Sequence, residues 1–174
     1  YSSNYGIYHY HDSVTASVSG CTFQNNGGYP LYWNPQFVAS IGNDNSFSGN
    51  GVQRILLKSL ILTGAVTWSN KGIPYEMDAD LTLHNNANEF IMQPGTELQF
   101  KNGRRLYIGD NNYTTERGHI IATGATFCAA NPAQGWNGLA FQAFTLPSTL
   151  TGCTIKQVNA APLGAATIYC DNTV

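Results

Sequence analysis

The chain has 174 residues, a length that suits one domain and allows a substantial buried core. Charged residues are 10% of the total, far below the usual quarter, the net charge is −2, and the eight Lys and Arg are scattered, which argues against a nucleic acid or an anionic membrane surface as partner. The most apolar run, Ile55 to Val66, is broken by Lys58, Ser59, Thr63 and Gly64 and is too short to span a bilayer.

From the N-terminus, NYGIYHY at Asn4 to Tyr10 returns as GYPLYWN at Gly28 to Asn34. Between them CTFQNN at Cys21 to Asn26 returns as NSFSGN at Asn45 to Asn50, at the same offset. Two separate phrases repeating in step define a unit of about 24 residues. VTWSN at Val66 to Asn70 reads as a degenerate copy, at a slightly shorter interval after the second if Phe47 is matched to Trp68. ATFCAAN at Ala125 to Asn131 and CTIKQVN at Cys153 to Asn159 continue the series, and Cys21 and Cys153 stand six intervals of about 22 residues apart.

Each unit holds short apolar, often β-branched stretches parted by Gly, Asn and Pro, so strands are expected rather than helices. The period is too short for a propeller blade, which needs about 40 residues, and lacks the Leu-x-x-Leu-x-Leu of a leucine-rich repeat. It fits a coil of a right-handed parallel β-helix, in which equivalent positions stack in columns about 4.8 Å apart. The sequence therefore predicts an all-β protein, a β-solenoid of about 21–24 residues per coil and roughly seven coils, with 1–174 as a single domain. It opens on Tyr1 and stops within a repeat at Val174, so an uncapped fragment of a longer protein is expected, its ends covered by the rest of that protein or by another chain.

Within that frame Phe23, Phe47 and Trp68 form an expected inward aromatic column, and Ile7 and Leu31 a second. Asn26 and Asn50 fall just past a strand, where Asn tolerates the left-handed region and stacked amides bond coil to coil. Tyr8 and Tyr32 then point outward, with Tyr5 and Tyr29 placed at the turn. These four tyrosines are the candidate glycan contacts, because aromatic rings and the apolar face of a pyranose lose water together. The plainer alternative is that they cover the coil edges, as cross-strand aromatic pairs do.

Longer stretches, GIPYEMDADLTLHNNANEFIMQPGTELQFKNGRRLYI at Gly72 to Ile108 and GHIIATGATFCAANPAQGWNGLAF at Gly118 to Phe141, resemble bacterial secreted or surface proteins of the pectin-lyase-like superfamily. The resemblance implies a turn at Pro94-Gly95-Thr96, a corner-packing Trp136 and an extracellular location. Similarity to its polygalacturonases would imply an Asn-Thr-Asp strand, an Asp pair and a Gly-His-Gly turn; here Gly118-His119 is followed by Ile120. Similarity to its pectate lyases would imply carboxylates holding calcium beside a catalytic Arg. Glu76, Asp78 and, one coil on, Glu97 are the corresponding calcium candidates, set against an ordinary charged β-surface neutralised by Lys101.

The remaining groups read as structural. His9-x-His11 with Asp12 lacks a third ligand, and His9 falls in the column of Trp33. Thr22, Ser46 and Thr67 line up as a hydroxyl column, but Thr-x-Thr, which an ice-binding face repeats, occurs once, at Thr149-Leu150-Thr151. Cys21, Cys128, Cys153 and Cys170 have no CxxC spacing and are compatible with two disulfides or with buried free thiols. The expected role is a non-catalytic extracellular stalk or adhesin-like module binding a polysaccharide or a surface protein, with no cofactor. A polysaccharide lyase or glycoside hydrolase is the alternative, and a purely structural or assembly solenoid the second.

Overall fold

The computed structural model describes residues 5–13, 15–86, 88–159 and 168–170; the ends at Tyr1 and Val174, and the side chain of Cys170, lie outside them. The chain winds as a parallel β-solenoid of about six turns. Its longest wall has seven strands stacked in chain order: Tyr5–Tyr8, Tyr29–Trp33, Ile55–Leu57, Tyr75–Met77, Glu97–Phe100, Thr126–Ala129 and Thr154–Ile155. A five-stranded wall holds Ile61–Leu62, Leu81–Leu83, Leu106–Ile108, Leu139–Phe141 and Ile168–Cys170. A four-stranded wall holds Val66–Trp68, Phe90–Met92, Ile121–Thr123 and Thr149–Thr151, and Thr22–Gln24 pairs with Ser46–Ser48 in a fourth, two-stranded sheet.

The repeated phrases are structural equivalents: Tyr5 pairs with Tyr29, Ile7 with Leu31 and Tyr8 with Tyr32. Leu31 is buried as expected, whereas Ile7, whose strand has one neighbour among the described residues, stays exposed. The coil length then drifts further than the sequence repeat indicates. Leu31 pairs with Ile55 at the original offset, but Ile55 pairs with Tyr75, a shorter coil, while Glu97 pairs with Thr126 and Thr126 with Thr154, both longer. The later coils are longer because loops 109–118 and 130–138 leave the walls between strands.

Period-two alternation drives the core. Trp68, Phe90, Leu98, Phe100, Leu106 and Ile108 are fully buried, and the residues between them face outward. Phe23 stacks on Phe47 at 5.3 Å and 14°, as expected. Trp68 does not continue that column. The coil from Ile55 to Tyr75 is too short to place Val66–Trp68 over Ser46–Ser48, so that strand lies against the 3-10 turn Pro35–Ser40, with Trp68 Nε1 donating to Pro35 O at 3.1 Å and its ring edge-on to Phe90 at 5.0 Å. Thr67 thereby leaves the hydroxyl column, whose remaining pair, Ser46 and Thr22, shares a hydrogen bond of 3.0 Å. Cys21, just before the strand that holds buried Phe23, is exposed.

Each corner entering the seven-stranded wall carries one residue with positive φ: Asn25, Gly49, Gly72, Gly95, Gly124 and Gly152. The left-handed position is thus Asn25, one residue before the Asn expected there. Asn26 and Asn50 form the amide ladder itself: Asn50 Oδ1 accepts from Asn26 N at 3.1 Å and from Asn26 Nδ2 at 2.7 Å, while Asn50 Nδ2 donates to Phe23 O at 3.0 Å. Gly95 makes the expected Pro94-Gly95-Thr96 turn, and buried Trp136 stacks on Phe100 at 4.8 Å at a corner.

Because Asn50 is buried and satisfies three groups, Asn50→Ala leaves backbone donors and acceptors bare and is expected to lower stability by about 2 kcal/mol. Exposed Ser48→Ala should stay within about 0.5 kcal/mol. Urea unfolding of both variants checks this, and equal midpoints would rule out a stabilising ladder.

Candidate functional site

The outward face of the seven-stranded wall carries most of the polar and aromatic side chains of interest. Through successive registers its central column runs Tyr8, Tyr32, Leu56, Glu76, Gln99 and Cys128. Their neighbours Leu31, Ile55, Tyr75, Leu98 and Phe127 point into the core, so the solenoid interior fixes the direction of each outward side chain.

At one end is the tyrosine platform. Tyr8 and Tyr32 stack at 4.6 Å and 23°, Tyr10 lies nearly parallel to Tyr8 at 5.7 Å and 7°, and Tyr5 stacks on Tyr29 at 6.0 Å. Tyr5 and Tyr29 are the first residues of their strands rather than turn residues. Tyr8 is 52% and Tyr10 58% exposed, so the rings are open to solvent, and Lys58 Nζ sits 4.7 Å from the centre of the Tyr10 ring. Burial raises the Tyr29 phenol far above its ordinary range, and its donation to Glu76 raises it further; desolvation and the neighbouring Tyr8 push Tyr32 up to about 12.

Further along the column lies a charged knot. Glu76, expected on an open surface, is only 1% exposed. Tyr29 Oη donates to its Oε1 at 2.7 Å, Arg54 Nη1 meets its Oε2 at 2.6 Å, and Lys101 Nζ is 3.6 Å away. Arg54 Nη2 continues to Ala130 O at 3.0 Å. Buried and with both oxygens engaged, Glu76 is poorly placed for proton transfer.

Asp78 has its side chain 40% exposed and lies 3.9 Å from Lys101. Glu97 is turned toward its own coil neighbours, accepting from Gln99 Nε2 at 2.5 Å and from the Cys128 thiol at 3.5 Å. Glu76 and Asp78 thus share Lys101 while Glu97 turns to Gln99 and Cys128, and the three are not gathered into one oxygen cage. Among the described residues, the set of three His, Cys, Asp or Glu side chains with donor atoms within 4.8 Å of one another is His84, Asp110 and Glu116, on another wall. The repeat contained a partial signal for it: Leu83 pairs with Ile108, so His84 and Asp110 stand one and two residues past the ends of adjacent strands.

The two imidazoles of His9-x-His11 part company. His9 is buried, 4.5 Å from the Trp33 ring, whereas exposed His11 meets Ser13 Oγ at 3.0 Å. Cys21, Cys128 and Cys153 are free thiols. Burial is the main cause that pushes the Cys128 thiol up to about 12, reinforced by the Glu97 carboxylate.

Fold and face together define a parallel β-solenoid with an aromatic platform running into a buried ion-pair knot. Comparison with protein-family models, with curated proteins and with solved structures gives no match to this chain.

Two expectations follow from these shifts. A phenol that holds its proton to about pH 12 when folded, but releases it near 10.0 when unfolded, contributes stability below pH 10 that is lost as the pH rises through that window. Urea midpoints should therefore be level to about pH 9.5 and fall from pH 10 to 12, with a shallower fall in Tyr32→Phe; an unchanged slope in that variant would remove Tyr32 as a cause. At pH 8, iodoacetamide should label exposed Cys21 at least about 100-fold faster than Cys128, as mass spectrometry of timed digests would report.

Proposed function

We propose that this chain is a non-catalytic β-solenoid module of a secreted or cell-surface protein, and that it holds glycans against the platform of Tyr8, Tyr10 and Tyr32. The observation that carries the reading is the stack of exposed Tyr8 on half-buried Tyr32, held in register by the strands beneath them. A flat apolar surface edged by polar groups matches the alternately apolar and hydroxylated faces of a pyranose. Tyr5 and Tyr29 extend the surface sideways, and Lys58 supplies a polar partner at its edge. The low charge of the chain favours a neutral or weakly acidic polysaccharide over a polyanion.

A second reading is a polysaccharide lyase or hydrolase of pectin-lyase-like type. Lys101 beside Asp78 and Arg54 on nearby Glu76 favour it, as cations suited to a uronate carboxylate, with Asp78 and Glu97 the side chains to recruit calcium. The closed hydrogen bonding of Glu76 weighs against it. A solenoid fold hosts binding, catalysis and pure scaffolding alike, so the side chains must decide.

The test is retention of the chain on a panel of neutral and acidic polysaccharides, with and without calcium, while following release of shortened or unsaturated products. Retention is expected without products and without a calcium requirement. The double variant Tyr8→Ala, Tyr32→Ala should weaken it by about tenfold or more, while Asp78→Ala should change it little. Products that form only with calcium and vanish in Asp78→Ala would establish the lyase reading. Absence of both retention and products would leave a scaffold.

A further inference from the structure

The loop of residues 109–118 leaves the end of Leu106–Ile108 and returns to the wall beside the strand one coil earlier. Gly109 N donates to Leu83 O at 3.0 Å, and Gly118 passes so close to Leu83 O and Gly109 N that a Cβ there would collide with backbone. The loop ends are thus pinned to the solenoid, and two of its carboxylates, Asp110 and Glu116, are brought to the ring of His84. Asp110 Oδ1 is occupied, accepting from Asn112 N at 2.6 Å and Tyr113 N at 2.9 Å, which leaves Oδ2 for the imidazole.

His84 is 9% exposed. Its Nδ1 is 3.2 Å from Glu116 Oε2, and its Nε2 is 3.6 Å from Asp110 Oδ2 with no hydrogen-bond partner, although that atom is fully covered. A neutral imidazole has one N–H and one lone pair. When Nδ1–H donates to Glu116, the Nε2 lone pair faces an anionic oxygen across the gap, an arrangement that a cation between them relieves. The gap itself is too long for a charge-assisted hydrogen bond, which closes to about 2.7–2.9 Å. Two ligand atoms on one ion with bonds of about 2.1 Å stand roughly 3.0 to 3.4 Å apart, so a closing of a few tenths of an ångström suffices for metal binding. A metal-bound imidazole that donates its other N–H to a carboxylate is a recurrent arrangement.

We infer that His84 Nε2 and Asp110 Oδ2 bind a divalent first-row transition metal, zinc being the natural occupant for one imidazole with carboxylate, and that Glu116 orients the ring through Nδ1. Zinc accepts nitrogen and oxygen donors without a geometric preference of its own, so water completes its shell. A cleft of ≈ 330 Å³ lined by Ile61, Thr82, His84, Tyr107, Asp110 and Gln142 supplies the route and the room for those waters. Among the described residues, no Lys or Arg forms a salt bridge with either carboxylate, so no fixed cation competes for the position. The ion would clip the loop to the wall and leave an exchangeable coordination position facing the cleft.

The test uses the full chain, stripped with chelator and titrated with zinc chloride by calorimetry, with thermal melting in parallel. One zinc per chain and a rise in melting temperature are expected. Affinity should fall by about 100-fold or more in His84→Ala and in Asp110→Asn, and by about tenfold in Glu116→Gln, where the orienting acceptor loses its charge. His11→Ala, removing an exposed imidazole elsewhere, should bind as the parent does. Should His84→Ala fail to fold, Asp110→Asn and Glu116→Gln carry the comparison. The inference is overturned if the parent chain shows no saturable zinc binding, or if Asp110→Asn binds zinc as tightly as the parent. Loss of stability in these variants without zinc binding would mark the cluster as an ion-pair clasp only.

Discussion

Every strand in a parallel solenoid forms its backbone ladder with the coil before and the coil after, so a residue's environment is set mainly by its equivalents one period away. That constraint organises the whole molecule. Inward positions become continuous aliphatic and aromatic columns, because an apolar side chain finds its best neighbour directly above or below. A polar side chain at a corner must likewise find a partner in the same column, and Asn26 over Asn50 shows the solution: one amide oxygen serves both the backbone and the side chain of its neighbour. The corners carry the opposite constraint. Turning sharply into the long wall requires a left-handed residue each time, which only Gly and Asn supply cheaply, and six corners meet it.

The same logic explains the candidate site. Outward side chains are stacked as rigidly as inward ones, so tyrosines at equivalent positions become a ladder whether or not anything binds to it. The wall changes character along its axis. At the tyrosine end the rings of Tyr8 and Tyr10 stand open to water; toward the middle, Leu56, Glu76 and Cys128 are buried although they point away from the core. Over Glu76 part of that cover is Arg54, which bonds its carboxylate and reaches on to Ala130 O.

How much could be read from the residues alone follows from the range of each interaction. The solenoid, the Tyr5–Tyr29 and Tyr8–Tyr32 pairs, the Phe23–Phe47 stack and the amide ladder were legible because each joins positions one period apart. Trp68 was misplaced because matching by aromatic type took no account of the shortened coil between Ile55 and Tyr75, which shifts a strand from one wall to another. Burial of Glu76 was not legible, since its partner Tyr29 lies 47 residues away, two coils along the stack. The cluster at His84 was hidden by its loop: Asp110 follows the repeat, but Glu116 is returned by a loop whose path no period encodes.

Arg54 has a wider meaning than its ion pair. A pure solenoid is a one-dimensional stack in which each coil senses only its neighbours, so such proteins can fray from either end one coil at a time. Here Tyr29 reaches past a coil to Glu76, and Arg54, bound to the same carboxylate, reaches on to Ala130, 76 residues away in sequence. These links act as cross-braces spanning several layers. Opening one middle coil must break bonds belonging to others, so the central turns are tied into one cooperative block, and stepwise fraying is confined to the ends.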